Sequence, residues 1–314
     1  MKNFLFILFF SGVSITVTAD SLLIKNVDIY SSRGIEVNTN LLIENGHIIG
    51  IGNRIAQTAD REIDGTGKSI TAGLFNSSTH IGAVEVSAIG ATVDSYSDND
   101  SVTASLKIAE SFNPNSTLIP HNRTHGLTHA LMVPDSRTHL FSGQVGLIQL
   151  GMQPRVIHDS LAIAVDFSEY GFKVSGNSRA AALVELRQAL DDAKDFSRNR
   201  KAALAGDHRD YELSYADLAA LEPVVNGNKP LLVRTNRASD IKNILNIALE
   251  FQLKLILMSA LEGWMVADEI AAAGVPVIMD PINNLPRAYE SLGARLDNAK
   301  LLSDAGVTLI FTGM

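Results

Sequence analysis

The stretch IDGTGKSITAGLFNSSTHIG, residues 63–82, decides the fold of this chain. It joins a turn marked by two glycines to a short segment that ends in His80, with Ser78 two positions earlier. Residues two apart on a strand point to the same side, so a His-x-His pair at a strand end can hold one metal ion with both imidazoles. A serine takes the first of these positions here, and the sequence predicts a strand end with one nitrogen donor.

The residues before this stretch predict a small module of β-strands. The segments SLLIKNVDIYSS and NLLIENGHIIGIG are rich in β-branched residues and leucine. Asn45 and Gly46 lie between the two halves of the second segment and are a strong signal for a two-residue hairpin. We expect residues 20–73 to form a β-sandwich module ahead of the main domain.

The residues after this stretch predict a second, larger domain. From about residue 178, short apolar segments such as PLLVRT and KLILMSA alternate with helical segments that often end in glycine. This pattern indicates βαβ units and a parallel sheet. It favours an α/β fold with a (β/α) TIM-type barrel over residues 74–314, with an open doubly wound sheet as the alternative. Because the chain stops just after an apolar strand, we expect the barrel to be incomplete at its C-terminal end and to lack a strand.

Two helix starts can be read from the second half of the chain. SRAAALVELRQALDDAKDF carries apolar residues at intervals of three to four, which predicts an amphipathic helix. Ser214 with Asp217 three residues later predicts a helix that begins with a capping-box-like contact.

The N-terminal residues predict export. A lysine, a short apolar run and a small-x-small site at Val17-Thr18-Ala19 give residues 1–19 the layout of a secretory signal peptide. The apolar run is too short to span a bilayer comfortably. We expect an exported protein in a bacterial periplasm, without stable membrane insertion after cleavage; a retained N-terminal anchor is the alternative.

Composition excludes several classes of function. The chain has 26 Lys and Arg against 34 Asp and Glu, a formal net charge of −8. This balance does not support a nucleic-acid surface, which needs clustered basic residues. With no cysteine, thiolate metal sites, catalytic thiols and disulfides are excluded. We expect a small-molecule substrate or ligand as the partner, and the composition leaves a homo-oligomer open.

Residues 41–82 resemble the amidohydrolase superfamily in its imidazolonepropionase-like branch, whose usual forms are lliENGrIvaIG and iDatGkxvtPGLiDxHxH. The matching positions are Glu44, Asn45, Gly46, Ile51, Gly52, Asp64, Gly67, Lys68, Gly73, Leu74 and His80. The later segments LVRTNRASDI and EGWMVADEIAAAGVPVIMDP resemble an exported subgroup. The resemblance implies a urease-like β-sandwich before the barrel, and hydrolysis of non-peptide C–N bonds, as in cyclic amides, by a metal-activated water.

The resemblance also implies where the ligands of one or two divalent ions, such as zinc, would lie. The two histidines of the first strand fall at Ser78 and His80. The histidine of the fifth strand falls at or beside Arg234, and that of the sixth near Ser259, where Glu262 is the nearest donor. The aspartate of the eighth strand falls beyond the chain. An arginine cannot ligate a metal, because its guanidinium has only donors and stays charged.

Three interpretations remain open at this point. His80 supports a metal-dependent amidohydrolase with an altered ligand set. Ser78, Arg234 and Ser259 together support a catalytically inactive barrel retained as a binding or structural module, and they favour loss of the ordinary binuclear chemistry. The abrupt end of the chain supports a nonfunctional fragment.

Three further histidines are spaced four apart in PHNRTHGLTHA: His121, His125 and His129. Pro120 and Gly126 argue against a helix, so we predict a strand. Four residues of strand separate two side chains by about 13 Å, too far to share one ion. We therefore expect ordinary surface or packing histidines.

Overall fold

The computed structural model describes residues 20–55 and 57–313, and the predicted signal peptide lies outside them. The chain divides into two compact units, with the boundary between Ala72 and Gly73. In the part of the chain described, no helix is both long and apolar enough to cross a membrane.

The first unit is a five-stranded sheet. Its strands are β1 (Ser21–Ser31), β2 (Gly34–Glu44), β3 (His47–Ile51), β4 (Arg61–Asp64) and β5 (Ser69–Thr71). The order is β3-β2-β1-β4, and β5 also pairs with β1. Strands β2 and β3 form the predicted antiparallel hairpin. Asn45 and Gly46 have φ of 51° and 77°, the left-handed conformation that a type I′ turn requires at both positions.

The second unit is built on an eight-stranded sheet. Its strands are β6 (Leu74–Thr79), β7 (Leu127–Met132), β8 (Phe141–Gln149), β9 (Arg155–Asp166), β10 (Leu231–Thr235), β11 (Leu255–Ser259), β12 (Val277–Met279) and β13 (Leu309–Phe311). They follow one another in chain order across the sheet. Thr312 Oγ1 donates to Asn76 Oδ1 at 2.5 Å, which brings β13 beside β6. The sheet is thus a nearly closed barrel, and the α/β barrel prediction is confirmed.

One strand of the barrel runs against the others. β8 is antiparallel to both β7 and β9, whereas the remaining neighbours are parallel. The sequence predicts a barrel that lacks a strand. Among the described residues the sheet nevertheless has eight strands, because β8 occupies the third position.

Helices surround the barrel and supply its outer core. They are α1 (Leu118–Thr124), α2 (Glu169–Val174), α3 (Arg179–Ala205), α4 (Tyr215–Val225), α5 (Ala238–Phe251), α6 (Ala267–Ala272) and α7 (Asn298–Asp304). Large buried side chains such as Phe167, Phe196 and Leu186 pack between helices and sheet. Alternate residues of the strands, including Ala164, Leu232, Met258 and Ile278, form a separate cluster that fills the barrel interior.

The structure confirms one sequence prediction about a helix and contradicts another prediction, where a strand was expected. Ser214 Oγ accepts a hydrogen bond from the backbone N–H of Asp217 at 3.2 Å, as predicted for the start of α4. The strand prediction around His121 was wrong, because Leu118–Thr124 form α1. Pro120 lies in the first turn of that helix, where a backbone N–H has no intrahelical partner to lose.

Candidate binding site at the barrel mouth

Polar side chains follow the carboxyl ends of the barrel strands. In parallel barrels these ends meet at one face, and their loops build the site. A cavity of about 350 Å³ opens there, lined by Tyr96, Asp135, Ser136, Arg137, Asp166, Ser168, Tyr170 and Arg234. All of these residues belong to the second unit.

His80 lies at the end of β6 and pairs with an aspartate that follows β7. The Nε2 atom of His80 is 3.3 Å from Oδ2 of Asp135, and Ser95 Oγ donates to the same oxygen at 2.9 Å. Burial alone would raise the pKa of Asp135, but the hydrogen bonds from His80 and Ser95 and the charge of Arg234 outweigh it and hold that pKa below its ordinary value of 3.8. His80 is therefore engaged by a carboxylate.

This pairing predicts a dependence of stability on pH. Because the pKa of Asp135 in the folded chain lies below its ordinary value of 3.8, its contribution is complete above about pH 5 and is lost as the pH falls through the lowered pKa. We expect Asp135→Asn to reduce the loss of unfolding free energy between about pH 5 and pH 2, measured by urea denaturation. Identical pH profiles for both proteins would refute this assignment.

Arg234 is placed in the mouth by the alternation of β10. It lies two residues after Leu232, whose side chain is in the interior cluster, so it faces the same side. Its side chain is half-buried and lines the cavity. Within the described residues, its guanidinium donates no hydrogen bond to the protein and has no carboxylate within ion-pair distance. The donors of Arg234 are thus available to a ligand.

The outer wall of the cavity is a cluster around Arg137. Its guanidinium lies 4.2 Å from the ring centroid of Tyr96 and donates to the hydroxyl groups of Tyr170 at 3.2 Å and Tyr96 at 3.3 Å. A nearby carboxylate, Asp98, is 3.4 Å away. Arg137 is therefore satisfied by the protein and positions two aromatic rings.

Ser259 is committed to a buried chain of hydrogen bonds. Its Oγ donates to Asn236 Oδ1 at 2.6 Å, and Asn236 Nδ2 donates to Glu290 Oε1 at 2.6 Å. Burial raises the pKa of Glu290 above its ordinary value. Ser259 sits at a φ of 76° at the end of β11, a backbone conformation that costs a residue other than glycine about 1–3 kcal/mol. Its position beside Arg234 shapes the mouth.

The side chain of Glu262 accepts hydrogen bonds from two backbone N–H groups. Its Oε2 accepts the N–H of Ala238 at 3.0 Å, at the start of α5. Its Oε1 accepts the N–H of Gly293 at 2.9 Å. Only 9% of the residue is exposed. The carboxylate thus caps a helix and fastens a loop, with both oxygens occupied.

We expect Glu262→Gln to lower the free energy of unfolding by about 1–2 kcal/mol, because an amide nitrogen then faces a backbone N–H. Denaturant unfolding measures this change. Glu250→Gln is the matched control: Glu250 forms an exposed pair with Arg187, and its loss costs at most about 0.5–1 kcal/mol. Equal effects of the two variants would rule out the role given to Glu262.

A divalent ion of the kind that the family resemblance implies does not fit this mouth. Ser78 lies on β6, and its backbone N–H donates a hydrogen bond to Asn76 Oδ1. Its hydroxyl group is a weak substitute for an imidazole as a metal ligand. In residues 20–55 and 57–313, no three His, Cys, Asp or Glu side chains come together in a way that could hold an ion. Arg234 adds a fixed positive charge among the remaining donors.

Asp135 and Asp166 are the site residues that sequence interpretation missed. A signal was present, since each follows an apolar run, LTHALMVP and LAIAV. Carboxylates at or just after the carboxyl ends of barrel strands that run in the same direction, here β7 and β9, converge at one face.

A comparison of folds finds a strong likeness to a solved structure. A solved amidohydrolase from Thermotoga maritima superposes with a TM-score of 0.81 and 22% identity, over 93% of this chain and 78% of that chain. The chain has an amidohydrolase-like fold. A prolidase solved with n-methylphosphonate-l-proline has a TM-score of 0.49 and 12% identity, over 93% of this chain and 78% of that one. A triazine hydrolase has a TM-score of 0.44 and 15% identity, over 93% and 71%. No family model and no curated protein matches the sequence.

Proposed function

We propose that this protein is a member of the amidohydrolase superfamily whose barrel mouth binds a small carboxylate-bearing molecule through Arg234, without a metal-activated water. The observation that supports this is the guanidinium of Arg234, which lines the cavity and has no partner among the described residues. A half-buried cation that lines a cavity favours an anionic ligand.

The chemistry of the cavity supports the ligand class. A guanidinium presents a planar fork of donors that matches a carboxylate with two parallel hydrogen bonds. The cavity of about 350 Å³ is at the lower end of the range of about 300–1,000 Å³ for small-molecule sites. The ligand is therefore small.

Metal-dependent hydrolysis of a non-peptide C–N bond is the second candidate. The amidohydrolase-like fold and the position of His80 at the end of β6 favour it. It would need an ion held by donors other than those of the family pattern, and His80 would have to leave Asp135. A divalent metal such as zinc would be its cofactor.

Metal content and carboxylate binding, measured on one preparation of the full chain, separate the two candidates. We expect no stoichiometric divalent metal and a saturable heat of binding with 3-phenylpropanoate. Stoichiometric zinc that is lost in His80→Ala, together with turnover of a cyclic amide, would establish the second candidate and overturn the first.

We further propose that the protein acts in the bacterial periplasm, with residues 20–73 and 74–314 as its two domains. The signal-peptide layout of residues 1–19 supports export. An N-terminal sequence that begins at Asp20 in a periplasmic extract would establish both export and cleavage; an intact N-terminus would contradict cleavage.

A further inference from the structure

We infer that the ligand of the barrel mouth is a zwitterion of the α-amino-acid class, held by Arg234 through its carboxylate and by Asp166 through its ammonium group. This inference rests on the carboxylate site proposed above. Its basis is a pair of oppositely charged side chains that lie on neighbouring strands and, within the described residues, form no ion pair with each other.

The two charges are fixed by the sheet. Arg234 on β10 and Asp166 on β9 are direct register partners, on parallel strands about 4.8 Å apart. Both side chains line the same cavity. Partners so placed can form an ion pair across the strands. Within the described residues no ion pair joins them, so the two charged groups remain open to a molecule that carries both opposite charges.

Asp166 is free to accept more hydrogen bonds than it now receives. Its Oδ1 accepts the N–H of Ser168 at 3.0 Å, and its Oδ2 has no hydrogen-bond partner among the described residues. A carboxylate with a free oxygen beside a cavity is suited to an ammonium group, which has three donors.

The other charges of the cavity are already matched by the protein. Asp135 is engaged by His80 and by Ser95. Arg137 pairs with Asp98 and with two tyrosine hydroxyl groups. Among the described residues that line the cavity, one cation, Arg234, and one anion, Asp166, therefore remain for a ligand. This pair matches a ligand with one carboxylate and one ammonium group.

The wall of the cavity also indicates the ligand's third substituent. Tyr96 and Tyr170 line it, and Arg137 holds both hydroxyl groups. Ring surfaces fixed in this way pack well against another apolar or aromatic group. We therefore take an aromatic amino acid as the probe.

Three matched probes test the inference by isothermal titration of the full chain: L-phenylalanine, 3-phenylpropanoate, which lacks the ammonium group, and 2-phenylethylamine, which lacks the carboxylate. We expect L-phenylalanine to bind at least about tenfold more tightly than either analogue. In Asp166→Asn, the affinity for L-phenylalanine should fall about tenfold, whereas that for 3-phenylpropanoate should stay within about twofold.

Asp166→Asn keeps an oxygen that can accept the N–H of Ser168, and its thermal unfolding checks that the variant is folded. Asp304→Asn, at an exposed pair with Lys300, is the matched control and should leave all three affinities unchanged. Equal binding of L-phenylalanine and 3-phenylpropanoate would overturn the zwitterion and leave the carboxylate site standing. Failure of both to bind would overturn the carboxylate site as well.

Discussion

Replacing Arg234 with glutamine should weaken the binding of 3-phenylpropanoate by roughly 10- to 100-fold. Hydrogen bonds to a charged group contribute about 1.5–3 kcal/mol, which corresponds to this range. Arg234 is the one cation of the cavity that we find without a partner in residues 20–55 and 57–313, so no neighbour can replace it. Isothermal titration of the two proteins gives the ratio of dissociation constants.

Two further variants sharpen this prediction. Arg234→Lys keeps the charge but loses the planar fork, and we expect an affinity between those of the other two proteins. Arg187→Gln removes an arginine from an exposed ion pair on α3 and should bind like the original protein. If Arg234→Gln also binds with the original affinity, the carboxylate does not bind at this arginine.

Truncating Phe167 to alanine should lower the free energy of unfolding by about 3–5 kcal/mol, the usual cost of removing a buried phenyl ring. Phe167 is fully buried at 0% exposure. Its ring packs edge-on against Phe172, with centroids 4.8 Å apart. Chemical denaturation measures the loss.

The expected loss concerns stability, because the substitution leaves the backbone of Phe167 in place. Its N–H donates to the carbonyl of Arg234 at 2.7 Å, and it directly follows Asp166 on the chain. Phe167→Leu keeps most of the volume and should lose clearly less stability. Tyr289→Ala replaces a residue that is 76% exposed. It should change the free energy of unfolding by no more than about 0.5 kcal/mol. A Phe167→Ala protein as stable as the Tyr289 variant would show that this packing is unimportant.

Much of the fold could be predicted because local signals agree with it. Asn45-Gly46 predicts its hairpin through turn geometry alone, and the alternating segments after residue 178 predict the parallel strands. The sequence did not predict β8, because this strand has an irregular register with β9 and contains glycines. At Gly143, φ is 129° and an added Cβ would meet the carbonyl oxygen of Leu106 at 2.6 Å. This glycine serves a close approach of two segments, which a propensity for strand does not reveal.

The site was less predictable, because it depends on which residues the barrel brings together. The resemblance directed attention to His80, Arg234 and Ser259, and all three do lie at strand ends. It gave no weight to Asp135 or Asp166, which belong to no part of the quoted family pattern. Their closeness to the arginine follows from strand register, and register is a property of the folded sheet.

The most direct test of the account is to observe the Arg234 side chain itself while a ligand is added. In protein labelled with ¹⁵N, the Nε–H resonance of Arg234 is assigned by its absence from the Arg234→Gln spectrum, and 3-phenylpropanoate is then titrated in. We expect a saturable shift of this resonance. An unchanged resonance, in a protein that carries stoichiometric metal beside His80, would contradict it.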